Sequence, residues 1–278
     1  MTKGGLLAIY AHPDDETFGV GGTMAHYAER GMPVTMVCAT RGEVGEIAPG
    51  TGATPETLGQ FREQELRDAM AILGVHDVRF LDYRDSGMAG TPENNDPRAF
   101  VNAPAETVIE QFVRVIRERR PEAIATWDPS GGYGHPDHIA VHRHATAAFH
   151  AAADPSQYPH AGEPWSGAKL LYTCFPIDEW IRLTQEMRRL GIPTPSFDED
   201  MAYADLPRLQ PNIIIDVTAH YDQKREAMLA HRTQITPDDP FMRLPQDSQR
   251  RFFGREYFHR AHPPLPNGHV LADLFADA

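Results

Sequence analysis

The sequence predicts an α/β fold: Rossmann-like and doubly wound, with a mostly parallel sheet and a smaller C-terminal elaboration. Three observations carry that prediction. Short apolar runs alternate with amphipathic helical stretches through residues 1–175. The runs are nearly continuous rather than alternating, as expected of parallel strands buried on both faces. Glycine or proline closes most of the helical stretches, which separates one strand–helix unit from the next.

The elements follow in order. Leu6–Ala11 is a compact apolar run and the first strand, and Thr23–Gly31 reads as a helix closed by glycine. Val34–Ala39 is the second strand. Thr57–Leu73 places Leu58, Phe61, Leu66, Ala69, Met70 and Leu73 near one helical face, and Gly74 stops it. Val78–Leu81 is a short strand. Ala105–Arg120 carries Val108, Ile109, Phe112, Val115 and Ile116 at helical spacing before Pro121. Ala123–Trp127 is the next strand, His138–Ala152 the helix after it, and Leu170–Phe175 a further strand. Beyond residue 176 prolines punctuate the chain (Ile192–Ser196, Leu206–Pro211, His262–Pro266) and the pattern is less regular. Asn212–Val217 reads as a late strand and His220–His231 as a helix. With no repeat or low-complexity linker, we expect residues 176–278 to pack on the 1–175 catalytic core as one integrated domain that contributes to the pocket.

At 278 residues the chain is long enough to bury a core, and 41% hydrophobic with 23% charged residues is ordinary for a globular protein. A net charge of −13 argues against a nucleic-acid partner, which would need a basic face. Cys38 and Cys174 sit in strand-like runs and read as inert core residues, so a reducing cytoplasm is the expected location. No apolar run approaches the ~18 residues of a membrane span. The expected partner is a small molecule; a homo-oligomer is compatible with the sequence.

The chemistry lies in two loops. Ala11-His12-Pro13-Asp14-Asp15-Glu16 follows the first strand, and Gly131-Gly132-Tyr133-Gly134-His135-Pro136-Asp137-His138 follows the strand ending at Trp127. Carboxyl ends of strands are where ligands bind in an open parallel sheet, so the loops are expected to face each other. His12, Asp15 and His138 would then supply two imidazoles and one carboxylate with an open position, the arrangement of a catalytic zinc. Such a zinc lowers the pKa of bound water toward ~7 and polarises a carbonyl. Asp14 points elsewhere and is free to serve as general base. His135, when protonated, would stabilise an oxyanion or protonate a leaving amine, and Tyr133 would donate to the tetrahedral intermediate. Turn chemistry alone accounts for the prolines and aspartates, but not for three histidines among them.

Two other classes share some of these features. Two histidines and a carboxylate also describe non-haem iron oxygenases, which commonly sit on all-β folds and give Asp14 no task. Gly19-Val20-Gly21-Gly22 suggests a nicotinamide site, but the G-x-G-x-x-G spacing fails at Met24. These glycines more simply let a helix approach the sheet. Fe2+ in place of Zn2+ is compatible with the donor set.

The two loops also resemble the LmbE-like, or PIG-L, family of zinc deacetylases. The likeness continues through Thr40–Glu46, Tyr83–Thr91, Ala161–Trp165, Leu229–Ile235 and Leu271–Ala276, nearly the whole chain. Within the family it is similar to two mycothiol-pathway groups, an N-acetylglucosaminyl-inositol deacetylase and an S-conjugate amidase. The resemblance implies zinc-dependent hydrolysis of an N-acyl amide, foremost deacetylation of an N-acetylglucosamine-containing small molecule. The alternative it implies is cleavage of thiol S-conjugates. It also implies that His12, Asp15 and His138 hold zinc, that Asp14, His135 and Tyr133 are catalytic, and that Glu46, Arg62 and Asp85 line the sugar end. His231 matches a recurring histidine. Thr17-Phe18-Gly19-Val20 departs from relatives, which carry Ser after the first motif.

Overall fold

The structure, a computed structural model, describes residues 4–194 and 209–277. The first apolar run forms β1 (Leu6–Tyr10), followed by the short α1 (Asp15–Gly19) and then α2 (Gly21–Glu29). Next come β2 (Val34–Thr40), α3 (Leu58–Ile72), β3 (Asp77–Tyr83), α4 (Ala105–Arg119) and β4 (Ala123–Trp127). A helical turn, α5 (Gly131–Gly134), leads into α6 (Pro136–Ala153) and β5 (Lys169–Thr173). The remainder supplies α7 (Ile177–Arg189), β6 (Ile213–Asp216), α8 (Tyr221–Ala230), α9 (Gln246–Phe253) and β7 (Arg255–His262). Of the proline-rich stretches named above, residues 195–208 lie outside the described residues.

The strands form one sheet of order β3-β2-β1-β4-β5-β7-β6. From β3 to β5 every neighbour is parallel, and β7 runs antiparallel to both β5 and β6. The chain winds outward from β1 through β2 to β3, then returns to start β4 on the other side of β1. β1 and β4 therefore flank the switch point, where loops separate and leave a crevice. Both candidate loops leave the sheet there.

Alternate side chains of β1 feed two cores. Leu6, Ala8 and Tyr10 pack with Met24 of α2, Leu66 and Met70 of α3 and Ala227 of α8. Leu7 and Ile9 pack with Val108 and Phe112 of α4 and Val141 and Ala145 of α6. The sheet is thus covered on both faces, the physical reason its inner strands read as unbroken apolar runs. The helical face expected on α3 needs one correction. Phe61 is 36% exposed, while Arg62 and Glu65 are buried, because each has a fixed hydrogen-bonding partner: Arg62 donates to the Gly42 carbonyl, and Glu65 accepts from the Thr233 amide and hydroxyl.

The glycines after β1 serve packing. A Cβ on Gly22 would lie 2.6 Å from a methyl of Val217. The first amides of α2 are also taken: Gly22 and Thr23 donate to the Glu256 carboxylate at 2.8 and 2.7 Å. A pyrophosphate would need that helix N-terminus, so the nicotinamide alternative has no seat here. Glu256 also binds the fully buried Lys224 ammonium at 2.7 Å. Glu256→Ala would leave Lys224 charged among apolar neighbours, with only the Phe18 and Phe253 carbonyls as acceptors. We expect it to lose about 3–5 kcal/mol of stability, read as a lower urea midpoint; an unchanged midpoint would show the pair to be dispensable.

Candidate active site

The first loop is folded by its own carboxylate. Asp15 turns back so that Oδ2 accepts the amides of Ala11 and His12 at 3.1 and 2.9 Å, and the Trp127 indole N–H at 3.3 Å. Its other oxygen is left facing His138. This closure puts Asp14 at φ 119°, a backbone region that costs a non-glycine residue about 1–3 kcal/mol. Several groups hold it there. The Asp14 amide donates to Glu16 Oε2 at 3.0 Å, and the Thr17 hydroxyl donates to the Asp14 carbonyl at 2.8 Å. Arg62 donates from one nitrogen to the Pro13 carbonyl at 2.6 Å and to the Asp14 carboxylate at 3.0 Å. Glu16 Oε1 in turn meets His231 Nε2 at 2.8 Å, both residues being fully buried. Burial opposes protonation of His231, but Glu16 outweighs it and raises its pKa.

The second loop is shaped by Asp128, whose Oδ1 accepts from the amides of Ser130 and Gly132 and from the Ser130 hydroxyl. A Cβ on Gly131 would lie 2.8 Å from His138 Cβ, so the approach requires glycine. His135 caps α6, its Nδ1 accepting the Asp137 amide at 3.2 Å, with Pro136 at the first helical position. His138 stacks on Trp127 with ring centroids 4.5 Å apart and planes 8° apart. Its Nδ1 lies 3.0 Å from the Gly131 carbonyl. That carbonyl can only accept, so the proton sits on Nδ1 and the Nε2 lone pair is free.

The loops meet as expected. His12 Nδ1 lies 3.1 Å from His138 Nε2, His138 Nε2 lies 3.2 Å from Asp15 Oδ1, and His12 Nδ1 lies 3.8 Å from Asp15 Oδ2. Ligands about 2.0–2.1 Å from a tetrahedral zinc sit roughly 3.4 Å apart, close to the two His138 edges of this triangle; the His12 edge runs to the Asp15 oxygen that the loop amides hold. His12 Nε2 points away from this triangle to Asp137 Oδ2 at 3.1 Å and Asp85 Oδ1 at 3.4 Å. Ser86 fixes Asp137 by its amide at 3.0 Å and its hydroxyl at 2.5 Å. A carboxylate behind a ligating imidazole is the support a metal site requires. His135 also brings a ring nitrogen within 4.8 Å of those of His12 and His138. His135 Nδ1 is committed to the helix cap, which leaves Asp15 Oδ1, 3.2 Å from His138 Nε2, as the third donor.

Buried charge dominates the electrostatics of the centre. Burial opposes ionisation of Asp15 and Asp85, but His138 and His12 beside Asp15, and His12 beside Asp85, outweigh it and hold both below the usual carboxylate range. Burial likewise opposes charging His12, yet Asp85, Asp137 and Asp15 raise its pKa well above the ordinary value. Asp14 moves the other way: burial raises its pKa, and Arg62 pulls against the rise. His135 is pushed down to about 2, first by burial and then by His12 and His138. It is therefore neutral here, with Nδ1 as acceptor and Nε2 carrying the hydrogen, rather than the protonated residue the sequence suggested.

The other expected residues are placed as follows. Tyr133 is 38% exposed, with its ring 5.0 Å from that of His138. Arg62 contacts Asp14 at 3.0 Å and Asp85 contacts His12 at 3.4 Å, which places both beside the centre. The Glu46 side chain is exposed, and only its carbonyl is engaged, by Gln234. Glu16, Asp137 and Ser86 were not singled out by sequence. The first two sit inside the quoted motifs; Ser86 gave no signal of its own. Among the described residues no helix is long and apolar enough to cross a membrane.

Comparison with known proteins gives the family. The family profile described as GlcNAc-PI de-N-acetylase (PIG-L) matches residues 7–149, a stretch that contains both loops. A 1D-myo-inositol 2-acetamido-2-deoxy-alpha-D-glucopyranoside deacetylase of Geodermatophilus obscurus is 42% identical over 266 residues, 91% of this chain and 90% of its own. Its namesake in Rhodococcus jostii is 43% identical over 271 residues, 93% and 91% of the two chains. Among solved structures, an N,N'-diacetylchitobiose deacetylase from Pyrococcus horikoshii superposes with a TM-score of 0.64, covering 91% of this chain and 82% of its own. At 22% identity that likeness is one of fold.

The donor set predicts metal content directly. His138→Ala should lose stoichiometric metal after dialysis, read by plasma emission spectrometry. Asp137→Asn should keep it with roughly 10–100-fold weaker affinity, because the support and not the ligand is lost. Full occupancy in His138→Ala would break the ligand set.

Proposed function

The chain belongs to the PIG-L family of GlcNAc-PI de-N-acetylases and is a hydrolase of amide C–N bonds; from that membership we propose that it is a zinc enzyme that deacetylates the glucosamine nitrogen of a 2-acetamido-2-deoxyglucoside. The observation that carries the reading is the joint placement of His12, Asp15 and His138 within 3.8 Å of one another, with Asp14 beside them but held apart by Arg62. The relatives' names supply the substrate class, a polyol glycoside of N-acetylglucosamine. Two free cysteines, Cys38 and Cys174, support a reducing, cytoplasmic location, and the partner in this reading is a small molecule.

Zinc held by His12, Asp15 and His138 would supply Lewis acidity, polarising the amide carbonyl and acidifying water. The protein's own groups do the rest. Asp14 takes a proton from the attacking water; its raised proton affinity brings it toward the working pH of a general base. Its side chain is 22% exposed, so water can reach it, and the Arg62 contact fixes its direction. His135 donates its Nε2 hydrogen to the carbonyl oxygen as negative charge develops there. A neutral imidazole suffices for this, since the donor must stabilise charge without surrendering its proton. Tyr133, at the crevice mouth, adds a hydrogen bond to the same oxygen. As the C–N bond breaks, Asp14 returns its proton to the leaving amine, giving acetate and free glucosamine nitrogen.

Asp14→Asn removes the base and keeps every ligand. We expect turnover of 1D-myo-inositol 2-acetamido-2-deoxy-α-D-glucopyranoside to fall about 10²–10⁴-fold with metal content unchanged. Near-normal turnover in that variant would sink the assignment. His135→Ala should cost about 10²-fold in kcat, again with metal retained. A wild-type rate there would remove His135 from the mechanism.

A further inference from the structure

Beside the reaction centre lies a cavity of about 310 Å³ whose walls include Asp14, Asp15 and Tyr133. An engineered cavity of ~150 Å³ admits a benzene ring, so this space holds about twice that bulk. Beyond the carboxylates the wall is aromatic: Phe18, Phe175, Trp180, Phe241, Phe253 and Tyr257. Their rings run on from one another with centroids 5.7–6.3 Å apart, from Phe18 through Phe241 to Phe253 and through Trp180 and Phe175 to Tyr257. Phe18 belongs to the stretch where this chain departs from the family pattern.

Several polar groups in the same wall are already engaged within the protein. Asp128 Oδ1 is taken by Ser130 and Gly132, and Lys224 is paired with Glu256. The Thr173 hydroxyl is shared between Tyr10 and the Thr126 carbonyl. Arg255 is exposed. A polyol placed here would lose water from every hydroxyl and find few partners, an unfavourable exchange. An apolar group gains with each carbon buried.

We propose that this cavity is a subsite for an apolar substituent of the amide substrate, alkyl or aryl and up to about two rings in bulk. It follows that the preferred substrate of this chain is more apolar than a bare polyol glycoside. The inference rests on the amide-hydrolase reading above and narrows it. The substituent belongs either to the acyl half or to the aglycone of the amine half; the chemistry that recognises it is the same.

Two substrate series separate these sources. One varies the N-acyl group of methyl glucosaminide from acetyl through butyryl to hexanoyl; the other keeps acetyl and varies the aglycone from methyl to hexyl and phenyl. Amine release by the zinc-loaded enzyme gives kcat/KM, and tryptophan fluorescence of Asp14→Asn gives affinity. In one series both should rise on the order of three-fold per methylene, and that series identifies the half that enters. Trp180→Ala and Phe241→Ser, each checked for an intact fold by near-UV circular dichroism, should flatten the rise. Short substrates hydrolysed with no rise in either series would overturn the subsite and leave the deacetylase reading standing, and so would a rise that survives in both variants. Tighter binding of the longer members with no amine released from any would keep the subsite and overturn the deacetylase reading. Neither hydrolysis nor a difference in binding would overturn both.

Discussion

Charge that cannot reach water governs this molecule. Asp15, Asp85 and Asp137 gather around His12 and His138, and all five residues are buried. Uncompensated carboxylates in such a place cost several kcal/mol each, so the surrounding structure is arranged to answer them. Backbone amides and the Trp127 indole serve one oxygen of Asp15, and Ser86 serves Asp137. What remains is a lone pair on each imidazole and the second oxygen of Asp15, turned toward one point. Those atoms offer a cation a seat there, and the carboxylates around His12 raise its pKa.

Asp14 is kept out of that arrangement at a cost in backbone strain. Its left-handed φ is over-determined by Glu16, Thr17 and Arg62, and Glu16 is anchored by His231 from 215 residues away. Ligand and base are adjacent in sequence, so only the backbone twist between them gives the two carboxylates different directions. The buried Glu16–His231 pair thus gives the C-terminal part a share in the chemistry. The same part contributes β6 and β7 to the sheet, and with them Glu256, which closes the helix N-terminus after β1.

The inner sheet was legible because both of its faces are covered, which leaves β1, β2 and β4 no room for polar alternation. β7 was not, because Glu256, His259 and Arg260 interrupt its apolar residues; each is answered by a partner in the fold, such as Lys224 for Glu256 and the Gln210 carbonyl for His259. α7 carried a readable signal in Trp180, Leu183 and Met187, all buried on one face, but prolines on either side masked it. At the site, the ligands were legible because each loop carries its histidines and aspartates close together. The supports were less so: the Tyr83–Thr91 likeness contains Ser86 and His231 matches a recurring histidine, but their distant chain positions do not show that they reach the centre. Arg62 and Asp85, expected to line the sugar end, lie against Asp14 and His12, while Glu46 faces solvent.

The family profile covers the two loops, whereas the aromatic residues that build the cavity come mostly from beyond residue 149. Reaction and substrate preference therefore rest on different parts of the chain, with α1 and Phe18 at the join. The central claim is that the converging donors bind one catalytic divalent ion. Its most direct test is amine release from an N-acetylglucosaminide by enzyme stripped with a chelator and then titrated with zinc. The account predicts that stripped enzyme is inactive and that activity returns linearly to a break at one ion per chain. Full turnover by the stripped enzyme would contradict it.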